Sequence, residues 1–304
     1  MRKSLKTHIV PVPEELERIR KLTIISLFSD DDLMDILVLK GGNALEIAHK
    51  LHSRASTDID VSMKMDFGDA NLNIEEVTDK LTGALYDTFA EAGYLVFDVR
   101  LVQKPRNLAK GQIPQWGGYK ASFKIISKND QEASNPNLEV RRNRSLVLNG
   151  DKRSIDIDIS KYEYCEGYEE HDLEGYTIKV YSLKMIVLEK LRAICQQMDE
   201  YAIRTKKSPR SRDFYDIYVI CESDSSNQIN FKDRETRDML RNFFEIKKVP
   251  LELLNKVAET KDFHKEDFHT VKDSVKANVV VEEFEFYFDY VLKKIKDLES
   301  FWVE

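Results

Sequence analysis

Two spacings of apolar residues alternate through the first 180 positions, and a single spacing takes over afterwards. Pro13 followed by Glu14 and Glu15 opens a helical pattern that runs to about Leu27, where the acidic stretch Ser29–Asp32 breaks it. ILVLK (36–40) is a short apolar run stopped by Gly41-Gly42 and predicts a buried strand. NALEIAHKLH then places Ala44, Leu45, Ala48 and Leu51 on one side, predicting a helix that opens at the glycines. TDIDVSMKM (57–65) alternates polar and apolar positions and predicts the next strand. Asn73 with Glu76 three residues on forms a capping box. Ile74, Val77, Leu81, Leu85 and Phe89 give the following helix its apolar face, and Gly93 its stop. LVFDVRLV (95–102) and YKASFKIIS (119–127) predict strands around a loop rich in Lys, Gly and Pro, and SIDIDIS (154–160) alternates without a break.

From about Tyr181 every strong pattern is helical: SLKMIVLEKLRAICQQ, SRDFYDIYVICE, ETRDMLRNFFEIKK and VEEFEFYFDYVLKKIKDLESFW. No strand is predicted after about Val180. The expected fold class is therefore α+β, with a mixed, twisted sheet and flanking helices over residues 1–178 and an all-helical domain over 179–304. A length of 304 residues suits two compact units.

Composition narrows the class. Hydrophobic residues make up 42% and charged residues 33%, and the net charge is −7, so a protein that coats nucleic acid nonspecifically is excluded and any such contact must be local. No run approaches the ~20 apolar residues of a membrane span, and the N-terminus lacks the apolar core of a signal peptide. Cys165, Cys195 and Cys221 form no metal-binding spacing, and reduced, buried thiols in a cytoplasmic protein are expected.

Carboxylates carry the chemical signal. Asp58 and Asp60 lie two apart on a predicted strand, so both leave one face with Cα atoms roughly 6.5–7 Å apart. Such a pair repels itself unless a cation lies between, or unless the face is simply solvated. Strand 154–160 repeats the device with Asp156 and Asp158, leaving Ile155, Ile157 and Ile159 on the other face. Two such strands side by side would form an acidic pocket for one or two Mg²⁺ ions, which prefer oxygen ligands and assist in-line displacement at phosphorus. Gly41-Gly42 supplies a complement, since bare backbone N–H groups at a helix start favour anions. The spacing fits neither G-x-x-x-x-G-K-[ST] nor G-x-G-x-x-G, which excludes P-loop and dinucleotide folds.

Strand, glycine pair, helix and D-x-D on the next strand, in the form LKGGNAL followed by SRASTDIDV, resembles the AbiEii/AbiGii group of the polymerase-beta-like nucleotidyltransferase superfamily. YSLKMIVLEKLRAI (181–194) and SRDFYDIYVI (211–220) resemble the same group's E-K-L-x-A and R-D-x-x-D-h-Y helices. The group comprises abortive-infection and toxin–antitoxin nucleotidyltransferases of bacteria, so the resemblance implies that residues 1–178 are the nucleotidyltransferase domain. It also implies roles. Asp58 and Asp60 would be the metal pair and Asp158 the third carboxylate, with Asp156 the alternative on the same face. Lys40, Gly41, Gly42, Asn43, Ser56 and Thr57 would surround the nucleotide phosphates. Lys190 would meet phosphates, Asp213 would act as base or orient the acceptor, and Arg212 and Asp216 would complete the second motif. Asn43 departs from the Ser or Thr usual after the glycines, although an amide also donates to a phosphate oxygen.

Residues alone leave other accounts open. Asp213 and Asp216 share a face inside an apolar helix, so a buried Lys or Arg could pair them, and Lys190 could merely snorkel. IRTKKSPRSR (203–212) concentrates Arg204, Lys206, Lys207, Arg210 and Arg212 just before Asp213 and could grip the phosphates of an RNA acceptor; EVRRNR (139–144) is a weaker candidate. The expected activity is Mg²⁺-dependent transfer of NMP from an NTP to an acceptor hydroxyl, the tRNA 3′ end foremost, by a toxin with a possible cognate antitoxin. Transfer to a protein or small molecule, and nucleotide binding without catalysis, are the competing expectations.

Overall fold

The computed structural model describes residues 11–51, 58–107, 116–148, 152–223, 229–275 and 279–298. Seven strands form one mixed sheet: β1 (Val38–Lys40), β2 (Ile59–Ser62), β3 (Tyr94–Lys104), β4 (Gly118–Ser127), β5 (Ile155–Ser160), β6 (Glu169–Leu173) and β7 (Tyr176–Val180). They lie in the order β3-β4-β5-β2-β1-β7-β6. β2 is parallel to β5 and β1 to β7, while the remaining neighbours are antiparallel.

Helices α1 (Pro13–Phe28) and α2 (Asp31–Ile36) precede the sheet. The acidic stretch after α1 does more than break it: Asp30 accepts the Leu33 N–H and caps α2. Ile36 therefore ends a helix and β1 starts only at Val38. After the glycines a single turn, α3 (Gly41–Asn43), continues as a π-helical segment Ala44–Ala48. That is shorter than the apolar stripe predicted, because the His49 N–H closes on Ala44 O and the next residue, Lys50, turns left-handed. α4 (Ile74–Glu91) carries the predicted capping box in full. Val77, Leu81, Leu85 and Phe89 are buried, each contributing ~1.5–3 kcal/mol, whereas Ile74 is exposed at the helix start.

Sequence reasoning did not anticipate the β6–β7 hairpin. EEHDL is polar and lies at the sheet edge with one face open, so it lacks the apolar alternation that marks a strand. Gly175 makes its turn with φ +89°. β7 contains residue 178 and pairs with β1 through Leu39 and Val180. Beyond α5 (Leu138–Arg144), all further helices follow the sheet: α6 (Leu183–Cys195), α7 (Ser211–Cys221), α8 (Arg234–Ile246), a 3-10 segment Leu251–Thr260, α9 (Lys261–Lys265), α10 (His269–Ser274) and α11 (Phe284–Lys296). One apolar cluster runs from Phe89 of α4 and Ile157 of β5 through Leu188 and Phe214 to Phe243 and Phe288. No described helix is long and apolar enough to cross a membrane.

Candidate active site

Strand register builds the centre of the site. Lys40 on β1 is opposite Asp60 on β2, Asp60 is opposite Asp158 on β5, and Asp158 is opposite Lys120 on β4. Four strands thus carry one row of charge, with two carboxylates in the middle and a lysine at each end. Burial pushes the Asp60 carboxyl up to about 6 against the pull of Lys40, with Glu189, Asp158 and Asp58 adding repulsion. A cation at this point would relieve that repulsion.

Gly41 makes the row possible. Its φ of +68° lies in the left-handed region, and a Cβ there would come 2.8 Å from Asp60 Oδ2. Gly41→Ala should therefore lose ~1–2 kcal/mol of stability from the backbone alone. By displacing Asp60 it should also slow nucleotidyl transfer by ~10- to 100-fold. Thermal melts and a transfer assay measure both, and unchanged transfer would show that the contact with Asp60 is unimportant.

Asn43 corrects an expectation. It is fully buried, and its Nδ2 donates to the Asp58 carbonyl at 2.7 Å, so it latches the start of β2 rather than facing a phosphate. Of the two candidates for the third carboxylate, Asp158 lies beside Asp60 and lines the cleft. Asp156 is buried between Lys120 at 2.6 Å and Lys152 at 3.2 Å, which hold its carboxyl below the usual range against the opposing effect of burial. Lys152 also reaches the exposed Asp58 carboxylate, at 3.1 Å from Oδ1. The three aspartates are not among the described groups whose ligand atoms all lie within 4.8 Å of one another.

α6 and α7 form the opposite wall. Lys190 Nζ donates to Asp213 Oδ1 and Asp216 Oδ2, both at 2.8 Å. Asp216 is wholly buried and lies outside the cleft, so its expected contact with nucleotide is replaced by a structural one with Lys190. Asp213 does line the cleft; burial raises its carboxyl, but Lys190 and Arg210 overcome this and hold it below the ordinary range. Its Oδ2 accepts no hydrogen bond and faces Arg210 Nη1 at 3.5 Å. The α7 N-terminus is fixed by His264 Nδ1, which accepts the Arg210 N–H at 3.0 Å, and by Asp267, which accepts the Ser211 N–H at 3.1 Å.

Part of the cleft lining is an ionic chain that the sequence motifs did not single out. Lys40 donates to Glu189 at 2.7 Å, and Arg192 bridges Glu189 at 3.5 Å and Glu163 at 2.6 Å. Lys247 then contacts Glu163 at 3.2 Å and the Lys161 carbonyl at 2.7 Å. Burial lowers the Lys247 amine to about 8 despite Glu163. Glu189 and Arg192 flank Lys190 in the E-K-L-x-A stretch, so the signal was present, but the partners Glu163 and Lys247 lie far off in sequence. The cleft has a volume of about 610 Å³, and its lining also includes Trp116, Tyr119, Arg204, Arg210 and Arg212.

A family model for the nucleotidyl transferase AbiEii toxin of type IV toxin–antitoxin systems matches residues 24–290. This chain belongs to the AbiEii nucleotidyltransferase toxin family. Among curated protein sequences none matches it significantly. Two solved structures share the fold. MenT4, a nucleotidyltransferase toxin from Mycobacterium tuberculosis, is 13% identical with a TM-score of 0.52, covering 94% of this chain and 83% of its own. JHP933 from Helicobacter pylori is 16% identical with a TM-score of 0.50, covering 95% and 96%.

Within this AbiEii-family protein the expected basic grip is reduced. Lys207 folds back onto the Met198 carbonyl and the Tyr201 carbonyl at 2.8 Å, leaving Arg204, Arg210 and Arg212 on the cleft. Burial above all, and then the neighbouring Arg210, lower the Arg204 guanidinium to about 10. The second basic candidate is spent internally: Arg142 pairs with Asp98 and Glu139, and Arg144 with Asp130. Ser56 and Thr57 lie outside the described residues.

Proposed function

We propose that this AbiEii-family nucleotidyltransferase moves NMP from an NTP to the 3′ hydroxyl of an RNA, with tRNA the foremost acceptor. The observation that carries it is that the paired Asp60 and Asp158 line the same cleft as Arg204, Arg210 and Arg212. Negative charge on the sheet suits a dication and positive charge on the helical wall suits phosphates. In this reading the helices that follow β7 form the wall that closes the cleft over the sheet.

Oxygen donors at Asp60 and Asp158, and the raised Asp60 carboxyl, fit Mg²⁺, with Asp58 able to join once it releases Lys152. When bound, the ion would neutralise charge on the triphosphate. The N–H groups of the Gly41-Gly42 turn would approach one end of that triphosphate and the three arginines the other. Asp213 would take the proton of the acceptor hydroxyl as that hydroxyl's oxygen bonds to the α-phosphorus and pyrophosphate leaves. Lys190 would keep that carboxylate oriented and ionised. A type IV family assignment further supports a cognate antitoxin as partner.

Incubation with each α-labelled NTP, Mg²⁺ and total RNA tests the proposal. Label should enter a tRNA-sized band, and Asp213→Asn should abolish it. Label on protein alone, or none with any NTP, would overturn the RNA assignment.

A further inference from the structure

A second group of metal-ligating side chains lies outside the cleft. His49, Glu169 and His171 bring their ligand atoms within 4.8 Å of one another, and none of the three lines the carboxylate cleft. His49 follows the π-helical segment Ala44–Ala48, while Glu169 and His171 alternate onto one face of the edge strand β6. His171 Nε2 lies 3.2 Å and His49 Nδ1 4.0 Å from the same Glu169 Oε2. The two imidazoles meet edge to face with centroids 5.1 Å apart.

The surroundings set one ring for ligation. His49 Nε2 is 2.7 Å from the Tyr181 carbonyl, an acceptor only, so the ring proton resides on Nε2 and the Nδ1 lone pair faces Glu169. An imidazole held through its far nitrogen by a carbonyl is the usual support of a ligating histidine. The His49 side chain is 6% exposed and fixed, whereas those of Glu169 and His171 are 41% and 26% exposed. The latter two are therefore free to close the remaining distance by rotation.

We propose that His49, Glu169 and His171 bind one borderline divalent ion of the zinc class. Two imidazoles and one carboxylate match Zn²⁺, Co²⁺ or Ni²⁺ and do not suit Mg²⁺ or Ca²⁺, which prefer all-oxygen shells. Three protein ligands leave a fourth position for water on the exposed side. The ion would pin the β6–β7 hairpin to the segment that begins at Gly41, where an otherwise polar edge strand has only one covered face.

The test uses the full chain after chelator treatment and dialysis. Calorimetric titration with Zn²⁺ should give about one equivalent, and Co²⁺ should produce the intense visible bands of a tetrahedral site. His171→Ala and Glu169→Gln, both on the partly exposed strand, should each weaken Zn²⁺ binding by ~10-fold or more while retaining the native circular dichroism. Asp60→Asn should leave it unchanged, which separates this site from the cleft. Wild-type protein that takes up no Zn²⁺, or variants at His171 and Glu169 that bind it as tightly as wild type, would overturn the proposal.

Discussion

Asp60→Asn should reduce nucleotidyl transfer by ~10³-fold while making the folded protein more stable above pH 6. The two effects share one cause. Burial raises the Asp60 carboxyl to about 6, and Glu189, Asp158 and Asp58 add to it against Lys40. The folded state then holds the proton more tightly than the unfolded chain, whose value is 3.8. Stability is accordingly unpenalised below about pH 4 and falls as pH rises towards 6, by up to ~3 kcal/mol. Asparagine cannot ionise, so the melting temperatures of variant and wild type should agree near pH 4 and diverge by pH 7. A variant that keeps its transfer activity would remove Asp60 from the chemistry; one equally stable at both pH values would show that its charge is already neutralised in the free protein.

The largest loss of stability is expected at Glu163. It is 4% exposed and lies between Arg192 and Lys247, themselves each 3% exposed. Burial alone would raise its carboxyl, yet Arg192, Lys247 and Lys40 hold it well below the usual range. Glu163→Ala removes the carboxylate shared by two buried cations and should cost ~3–5 kcal/mol in denaturant unfolding, whereas replacing Glu163 and Arg192 together by leucine should cost less than the sum of the single changes. Because the folded value lies below the unfolded 4.5, this contribution is present above pH 4.5 and fades as pH falls through that range. An additive double variant would argue that the chain of charges is a set of independent contacts.

Much of this was legible in the residues. The period-two pattern of SIDIDIS and the capping box at Asn73 mark elements whose cause is local, and both form where expected. Pairing Asp60 with Asp158 also follows in outline, since each alternates on its own strand, but it took the parallel register of β2 and β5 to choose Asp158 over Asp156. What escaped was non-local. Asn43 occupies a motif position that suggests a ligand, and only the fold reveals the Asp58 carbonyl within its reach. A buried cation pairing Asp213 and Asp216 was among the readings the residues left open, but Lys190 lies 26 positions from Asp216, and Glu163 lies 29 from Arg192, so spacing alone names neither partner. The β6–β7 hairpin escaped because a half-open polar edge strand has little hydrophobic period to read.

The bond from Lys40 to Glu189 closes a loop of 149 residues, and Lys247 completes the same chain of charges from farther still. Translation delivers these pieces in order. The glycine turn and the carboxylates leave the ribosome first, and the residues that neutralise and wall them arrive on the order of 10 s later at ~5–20 residues per second. The chain made before them contains Asp60 and Asp158 without the lining residues Lys190, Arg204, Arg210 and Arg212. A chain truncated between Ser160 and Leu183 should therefore carry the D-x-D motif and β5 but lack the helical wall of the cleft.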